Sequence, residues 1–145
     1  AVDVLLRLKD PQALGALVFA DPKAREDLNA ITHPKIAARV IEQTVRHEAA
    51  GEPFCIYDSP LLIENELHRQ CDAVVLVFVD RETQLARLMS RNHLSREQAM
   101  QRIEAQMPLE KKRQWANWVI DNSGSIDATQ KQVDALWPHL SEEHP

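Results

Sequence analysis

Residues 73–79 read Ala73-Val74-Val75-Leu76-Val77-Phe78-Val79, an unbroken apolar run closed by Asp80. No helical or alternating period survives in such a run. Its β-branched content predicts a strand buried on both faces, the usual condition of strands in a parallel sheet. A shorter β-favouring run, Phe54-Cys55-Ile56-Tyr57, follows Glu52-Pro53. A third, Trp118-Val119-Ile120, ends at Asp121-Asn122.

The rest reads as helices. Pro11 to Ala20 is an apolar helical segment. Asp21-Pro22 restarts a helix, with Asp21 as N-cap and Pro22 at the first helical position. Thr32-His33-Pro34 repeats that device and predicts a new helix running to about Ala50, where Gly51 suits a left-handed terminus. The apolar stripe of that helix is Ile36, Ala37, Val40, Ile41 and Val45. Beyond Asp80 a helix places Leu85, Leu88 and Met89 on one face, and Ser95-Arg96-Glu97-Gln98 is a capping box opening the next. Pro108 starts a third, rich in charge at Glu110, Lys111, Lys112 and Arg113. The last begins near Ser125, uses Ile126, Val133, Leu136 and Trp137, and is expected to stop at Pro138, with a loose tail to Pro145.

Strands alternating with helices predict an α/β layered fold with a mostly parallel sheet. Ligands of such sheets lie beyond the carboxyl ends of the strands. Asp58-Ser59, Asp80 and Asp121-Asn122 stand at those ends, and chemistry is expected there.

A length of 145 residues is that of about one domain. With 44% apolar and 27% charged residues the composition is that of a soluble globular chain. The formal charge of -5 argues against a broad nucleic-acid footprint and leaves room for a local basic pocket. The three glycines, Gly15, Gly51 and Gly124, lie too far apart to write either the P-loop or the dinucleotide fingerprint. Cys55 and Cys71 form no C-x-x-C pair and no disulfide framework, which predicts a reduced, cytoplasmic setting. No apolar run approaches the roughly 20 residues of a membrane span. Val4-Leu5-Leu6 is interrupted by Arg7, so no signal-peptide layout is expected. A first residue of Ala rather than Met predicts a processed, trimmed or partial polypeptide.

Several residue groups have two readings. A carboxylate after the first run, Asp58 or Glu64, can hold magnesium or orient a hydroxyl. Equally, Asp58 can cap a turn and Glu64 can be solvated. Arg87, Arg91, Arg96, Arg102 and Arg113 crowd one helical stretch, and Arg87 and Arg91, four apart, share a face. Two guanidinium forks on one face can grip phosphate oxygens; a solvated face balanced by Glu82 and Glu104 is the alternative. His33, just before Pro34, can donate to a phosphate or cap its helix. The remaining histidines lack zinc-ligand spacing, and no G-x-S-x-G elbow exists. Trp115 and Trp118 flank the third strand as core residues or as a stacking surface for a base.

From about Leu14 to Val133 the chain resembles the dephospho-coenzyme A kinase family. The resemblance is carried by Leu14-Gly15-Ala16-Leu17-Val18-Phe19, Leu28-Asn29-Ala30-Ile31-Thr32-His33-Pro34 and Asp58-Ser59-Pro60-Leu61-Leu62-Ile63-Glu64. It continues through Arg87-Leu88-Met89-Ser90-Arg91, Leu94-Ser95-Arg96-Glu97-Gln98-Ala99 and Arg102-Ile103-Glu104-Ala105-Gln106-Met107-Pro108, and closes with Val119-Ile120-Asp121-Asn122-Ser123-Gly124-Ser125. The resemblance implies a P-loop kinase that transfers the ATP γ-phosphate to the ribose 3′-hydroxyl of dephospho-coenzyme A with magnesium, the last step of coenzyme A synthesis. It implies a helical substrate-binding region over 1–52, a nucleotide-binding core from 53–80 and 118–145, and a lid over 81–117. On that basis His33, Pro34, Asp58, Pro60, Leu61, Leu62 and Glu64 serve the acceptor. Arg87 and Arg91 face the transferring phosphate, and Asn122 lies near the adenine.

The chain also departs from the family pattern. The amino-terminal strand, the Gly-rich loop with its Lys and Ser or Thr, and the Asp that follows as candidate base are not in this sequence. Ala1 to Pro11 matches poorly. In the family's sheet the missing strand is central, between 54–57 and 73–79. Its loss predicts direct pairing of those two runs, or self-association that fills the slot. The polypeptide alone is therefore expected to be nearly inactive. A catalytically silent domain that binds coenzyme A-like or nucleotide ligands, or regulates a partner, is the alternative; a truncated product without function is a third.

Overall fold

Asp21 and Pro22 set the start of the longest described helix. The structure, a computed structural model, describes residues 10–142. The chain divides into two compact units, Ala1–Cys55 and Ile56–Pro145. In the first, helix α1 (Pro11–Ala20) is followed at once by α2 (Pro22–Ala49). Asp21 is extended, and its carboxylate accepts a bond from Lys23 N at 2.8 Å. That satisfies one orphan donor of the first turn, and Pro22 needs none.

The predicted restart at Thr32-His33-Pro34 does not occur. Pro34 lies inside a single helix of 28 residues. Thr32 does not cap forward; its hydroxyl donates back to Leu28 O at 2.9 Å. Losing one N–H at Pro34 leaves the turns on either side intact, and Ala30, Ala37 and Ala38 favour helix. Gly51 is left-handed at φ 72, as the terminus requires. The apolar stripe of α2 is largely open: Ile36, Ile41 and Val45 are exposed, and Val40 is half-buried. Helix α1, about 15 Å long, cannot cover an α2 of about 42 Å.

In the second unit the sheet has two parallel strands, β1 (Val75–Phe78) and β2 (Trp118–Asp121), in register from Val75 opposite Trp118 to Phe78 opposite Asp121. The run at 54–57 forms no strand, and its direct pairing with 73–79 is absent from this sheet. A strand exists through its ladder partner, and β1 takes β2. Nor is β1 buried on both faces. Val74, Leu76 and Phe78 are buried, whereas Val77 is 54% exposed. Two strands offer too little sheet for helices to cover both sides.

The crossover from β1 to β2 holds α3 (Arg81–Asn92), α4 (Arg96–Glu104), α5 (Leu109–Lys112) and a 3-10 turn (Arg113–Trp115). Asp80 caps α3, accepting from Thr83 N at 2.9 Å. The capping box of α4 forms in both directions between Ser95 and Gln98. Helix α6 (Ile126–Glu142) follows β2 and runs through Pro138, which does not stop it. Ile63, Leu85, Ala99, Ile120 and Leu136 complete the buried apolar set of this unit. Among the described residues no helix is long and apolar enough to cross a membrane. The readings at Val4-Leu5-Leu6-Arg7 and at Pro145 fall outside the described residues.

Candidate functional site at the carboxyl ends of the strands

The parallel register brings the ends of β1 and β2 level, and the loops after them interlock. Asn122 N donates to Phe78 O at 2.7 Å, and Asp80 N donates to Ser123 Oγ at 3.0 Å. Arg87, on α3, reaches this junction. Its guanidinium donates to Asn122 O at 2.6 Å and to Gly124 O at 3.2 Å. The Asn122 side chain is fixed in turn, its Oδ1 accepting from Thr129 Oγ1 at 3.0 Å. Arg87 and Asn122, predicted separately from sequence, therefore meet. Arg91 does not join them; its Nε donates to Asn92 Oδ1 at 3.0 Å and the side chain is exposed.

Two carboxylates border this junction. Hydrogen bonds from Thr83, side chain and backbone, hold Asp80 below the usual carboxylate range. Asp121 is lowered by the Ser123 hydroxyl and backbone N–H, with the Arg113 guanidinium adding to the effect and Asp80 opposing it. Arg113 itself lies over the Phe78 ring, 4.0 Å from its centre, and its Nε pairs with Glu110 at 3.1 Å. Among the described residues, no group of three His, Cys, Asp or Glu side chains gathers to hold a metal ion.

A second cluster lies on the turns that contain Pro60, Leu61, Leu62 and Glu64. Leu62 N donates to Ser59 O, Asn65 N to Leu61 O, and left-handed Glu66 ends the series. Ile63 points into the core, 6% exposed. Glu64 is not solvated. Its Oε1 takes the Lys112 ammonium at 2.8 Å and accepts from Met107 N at 3.0 Å. Burial pushes its pKa up, but the Lys112 hydrogen bond and the backbone donors outweigh that and hold it below the ordinary value of 4.5. Lys112 also donates to Pro60 O at 2.9 Å. Asp58 is exposed, outside this network. His33 and Pro34 are exposed in the middle of α2, in the other unit.

Sequence reading missed Lys112. It sits in the run Glu110-Lys111-Lys112-Arg113, which has the appearance of a solvated face, and nothing in the run distinguishes the one lysine that turns inward. Gln132 was missed as well, since a glutamine on a helix carries no signal of what its amide binds.

The model of the dephospho-CoA kinase family matches residues 7–128. This chain belongs to the dephospho-CoA kinase family. The match begins before Leu14 and ends before Val133, and it takes in the Arg87–Asn122 junction and the Glu64–Lys112 pair. A dephospho-CoA kinase from Symbiobacterium thermophilum is 48% identical over 128 residues, which is 88% of this chain and 54% of that protein. One from Geobacter metallireducens is 43% identical over 136 residues, 94% of this chain and 68% of that protein. The chain thus spans between about half and two thirds of these relatives' length. A Thermus thermophilus crystal structure superposes with a TM-score of 0.75 at 35% identity, covering 90% of this chain and 67% of that one. The dephospho-CoA kinase of Campylobacter jejuni superposes with a TM-score of 0.64 at 28% identity, covering 92% of this chain and 66% of that one. The α/β fold with a parallel sheet is that of these kinases.

Proposed function

We propose that this chain forms the acceptor region, the lid and part of the nucleotide-binding core of a cytoplasmic phosphotransferase. The reaction is transfer of the ATP γ-phosphate to the ribose 3′-hydroxyl of dephospho-coenzyme A. The hydroxyl oxygen bonds to the γ-phosphorus, the bond to the β–γ bridging oxygen breaks, ADP leaves, and the hydroxyl proton is lost to a base. The observation that carries this reading is the Arg87 guanidinium bonded to the Asn122–Gly124 loop at the carboxyl ends of the strands. It couples the region assigned to the lid with the loop assigned to the adenine.

In this reading 1–52 is the substrate region, 81–117 the lid, and 53–80 with 118–145 the core. His33, Pro34, Asp58, Pro60, Leu61, Leu62 and Glu64 line the acceptor side. Arg87 and Arg91 neutralise charge on the transferring phosphate, the larger part of catalysis in such reactions. The Arg87 guanidinium has N–H donors beyond the two that hold the loop. Asn122 borders the adenine. Magnesium arrives with ATP and would supply charge neutralisation. The described carboxylates offer it no three-ligand set.

The three scattered glycines supply no phosphate loop, so the 145-residue chain alone binds its ligands without turning them over. That leaves a silent coenzyme A- or nucleotide-binding domain, or a regulatory one, as the second reading. A chimera decides between them. The part of the Geobacter metallireducens kinase that this chain does not match is joined to it, and ADP release is followed with dephospho-coenzyme A. The kinase reading expects turnover by the chimera. A folded chimera that binds ATP yet leaves dephospho-coenzyme A unphosphorylated would reject it.

A further inference from the structure

Lys112 is the one buried charged residue among the described residues, 4% exposed. Taking an ammonium out of water is costly, and it persists where geometry and hydrogen bonds compensate it. Here both compensating bonds reach the same short segment. Nζ lies 2.8 Å from Glu64 Oε1 and donates to Pro60 O at 2.9 Å. The carboxylate it holds is also bonded from behind by Met107 N at 3.0 Å, five positions ahead of Lys112. The 60–64 turn is thereby gripped at both ends by one stretch of chain, 107–112, that lies more than forty residues away. Its internal bonds are single turns, such as Leu62 N to Ser59 O at 3.3 Å and Leu67 N to Leu62 O at 2.9 Å, and Ile63 is its one buried side chain.

We propose that Lys112 is a positioning residue that holds the Pro60–Glu64 turn in the orientation in which Pro60, Leu61 and Leu62 present the acceptor surface. This rests on the assignment of that turn to the acceptor. Lys112 touches no substrate in the proposal; it acts through Glu64 and the Pro60 carbonyl. Because 107–112 lies within the segment assigned to the lid, 81–117, the pair also ties the acceptor turn to the lid. A residue that merely contributed stability would loosen the whole unit evenly. A positioning residue loosens the turn first.

The test compares three forms of the 145-residue chain: wild type, Lys112→Met and Leu136→Ala. Leu136→Ala removes core volume from α6 and serves as a destabilised control. Two quantities are read, amide hydrogen exchange and affinity for dephospho-coenzyme A. In Lys112→Met the amides of Leu62, Asn65 and Leu67 are expected to exchange at least tenfold faster than in wild type. Those of Leu76, Phe78 and Ile120 should change by less than threefold. Affinity for dephospho-coenzyme A should fall at least tenfold. Leu136→Ala should show no selective acceleration at the turn and should keep its affinity within threefold. Uniform acceleration in Lys112→Met, or a turn as protected as in wild type, overturns the proposal. So does wild-type affinity in Lys112→Met. If the wild-type chain fails to bind dephospho-coenzyme A, the acceptor assignment falls and the proposal falls with it, while the exchange data still report whether Lys112 holds the turn.

Discussion

The Gln132 carboxamide bonds both backbone groups of Asp121. Asp121 N donates to Oε1 at 2.8 Å, and Nε2 donates to Asp121 O at 2.8 Å. A single side chain thus imitates one rung of a neighbouring strand at the end of β2. It closes the edge that a two-stranded sheet would leave open there, and it ties α6 to the loop that carries Asn122.

Gln132→Leu removes that rung. With net contributions of about 1 kcal/mol per hydrogen bond, discounted for exposure, the loss of stability should be about 1–2 kcal/mol. Urea unfolding checks this, and a midpoint identical to wild type would show the rung to be ornamental.

The Glu64–Lys112 pair makes stability depend on acid. The folded state holds the Glu64 carboxyl below its ordinary value of 4.5, so it binds fewer protons there than the unfolded chain. The pair's contribution is complete above about pH 4.5 and declines as pH falls through the lower folded value. Lys112→Met leaves the carboxylate without its ammonium. It should flatten the acid slope. Denaturant melts between pH 3 and 7 on both forms are the measurement, and parallel slopes would contradict it.

Pro34 interrupts α2 without ending it. A proline in a helix interior costs about 3 kcal/mol, so Pro34→Ala should raise stability and helical circular dichroism. If Pro34 serves the acceptor, the same variant should lose affinity for dephospho-coenzyme A. Greater stability with undiminished affinity would remove Pro34 from the site.

Arg87 is tied to the Asn122–Gly124 loop, whereas Arg96 lies in the open, 3.3 Å from Glu82. In the chimera, Arg87→Ala should lower turnover by about 10³-fold, the order lost with an arginine that stabilises a transferring phosphate. Its Michaelis constant for dephospho-coenzyme A should move far less. Arg87→Lys should recover little, since an ammonium lacks the planar fork. Arg96→Ala should change little, because an exposed ion pair contributes about 0–1 kcal/mol. Steady-state kinetics on the three variants decide it, and equal damage from Arg87→Ala and Arg96→Ala would return Arg87 to an ordinary surface role.

The chain without any fusion should give no ADP release with ATP and dephospho-coenzyme A. A coupled assay reading turnover in the range of about 1–100 per second, usual for kinases, would refute the expectation that the chain alone is inactive.

Features set by neighbours in sequence were legible. Asp21-Pro22 and Ser95–Gln98 open helices because a cap needs no more than its own first turn. The apolar run at 73–79 and the run at 118–120 became strands. Arg87 and Asn122 were each singled out through the family resemblance, but their meeting, through two carbonyl bonds to the 122–124 loop, was not legible.

What depended on distant partners was not legible. Phe54-Cys55-Ile56-Tyr57 has the composition of a strand, but a strand is made by a ladder, and the sheet gives β1 to β2. Pro34 and Pro138 carry the local signal of a boundary, yet both helices continue, since one missing donor is outweighed by the turns on either side. Local chemistry determined caps, helix faces and the β-rich runs. Tertiary structure decided which runs pair, which face of β1 stays open, and which one lysine of Lys111 and Lys112 turns inward to meet Glu64, because burial and pairing belong to groups far apart in the chain.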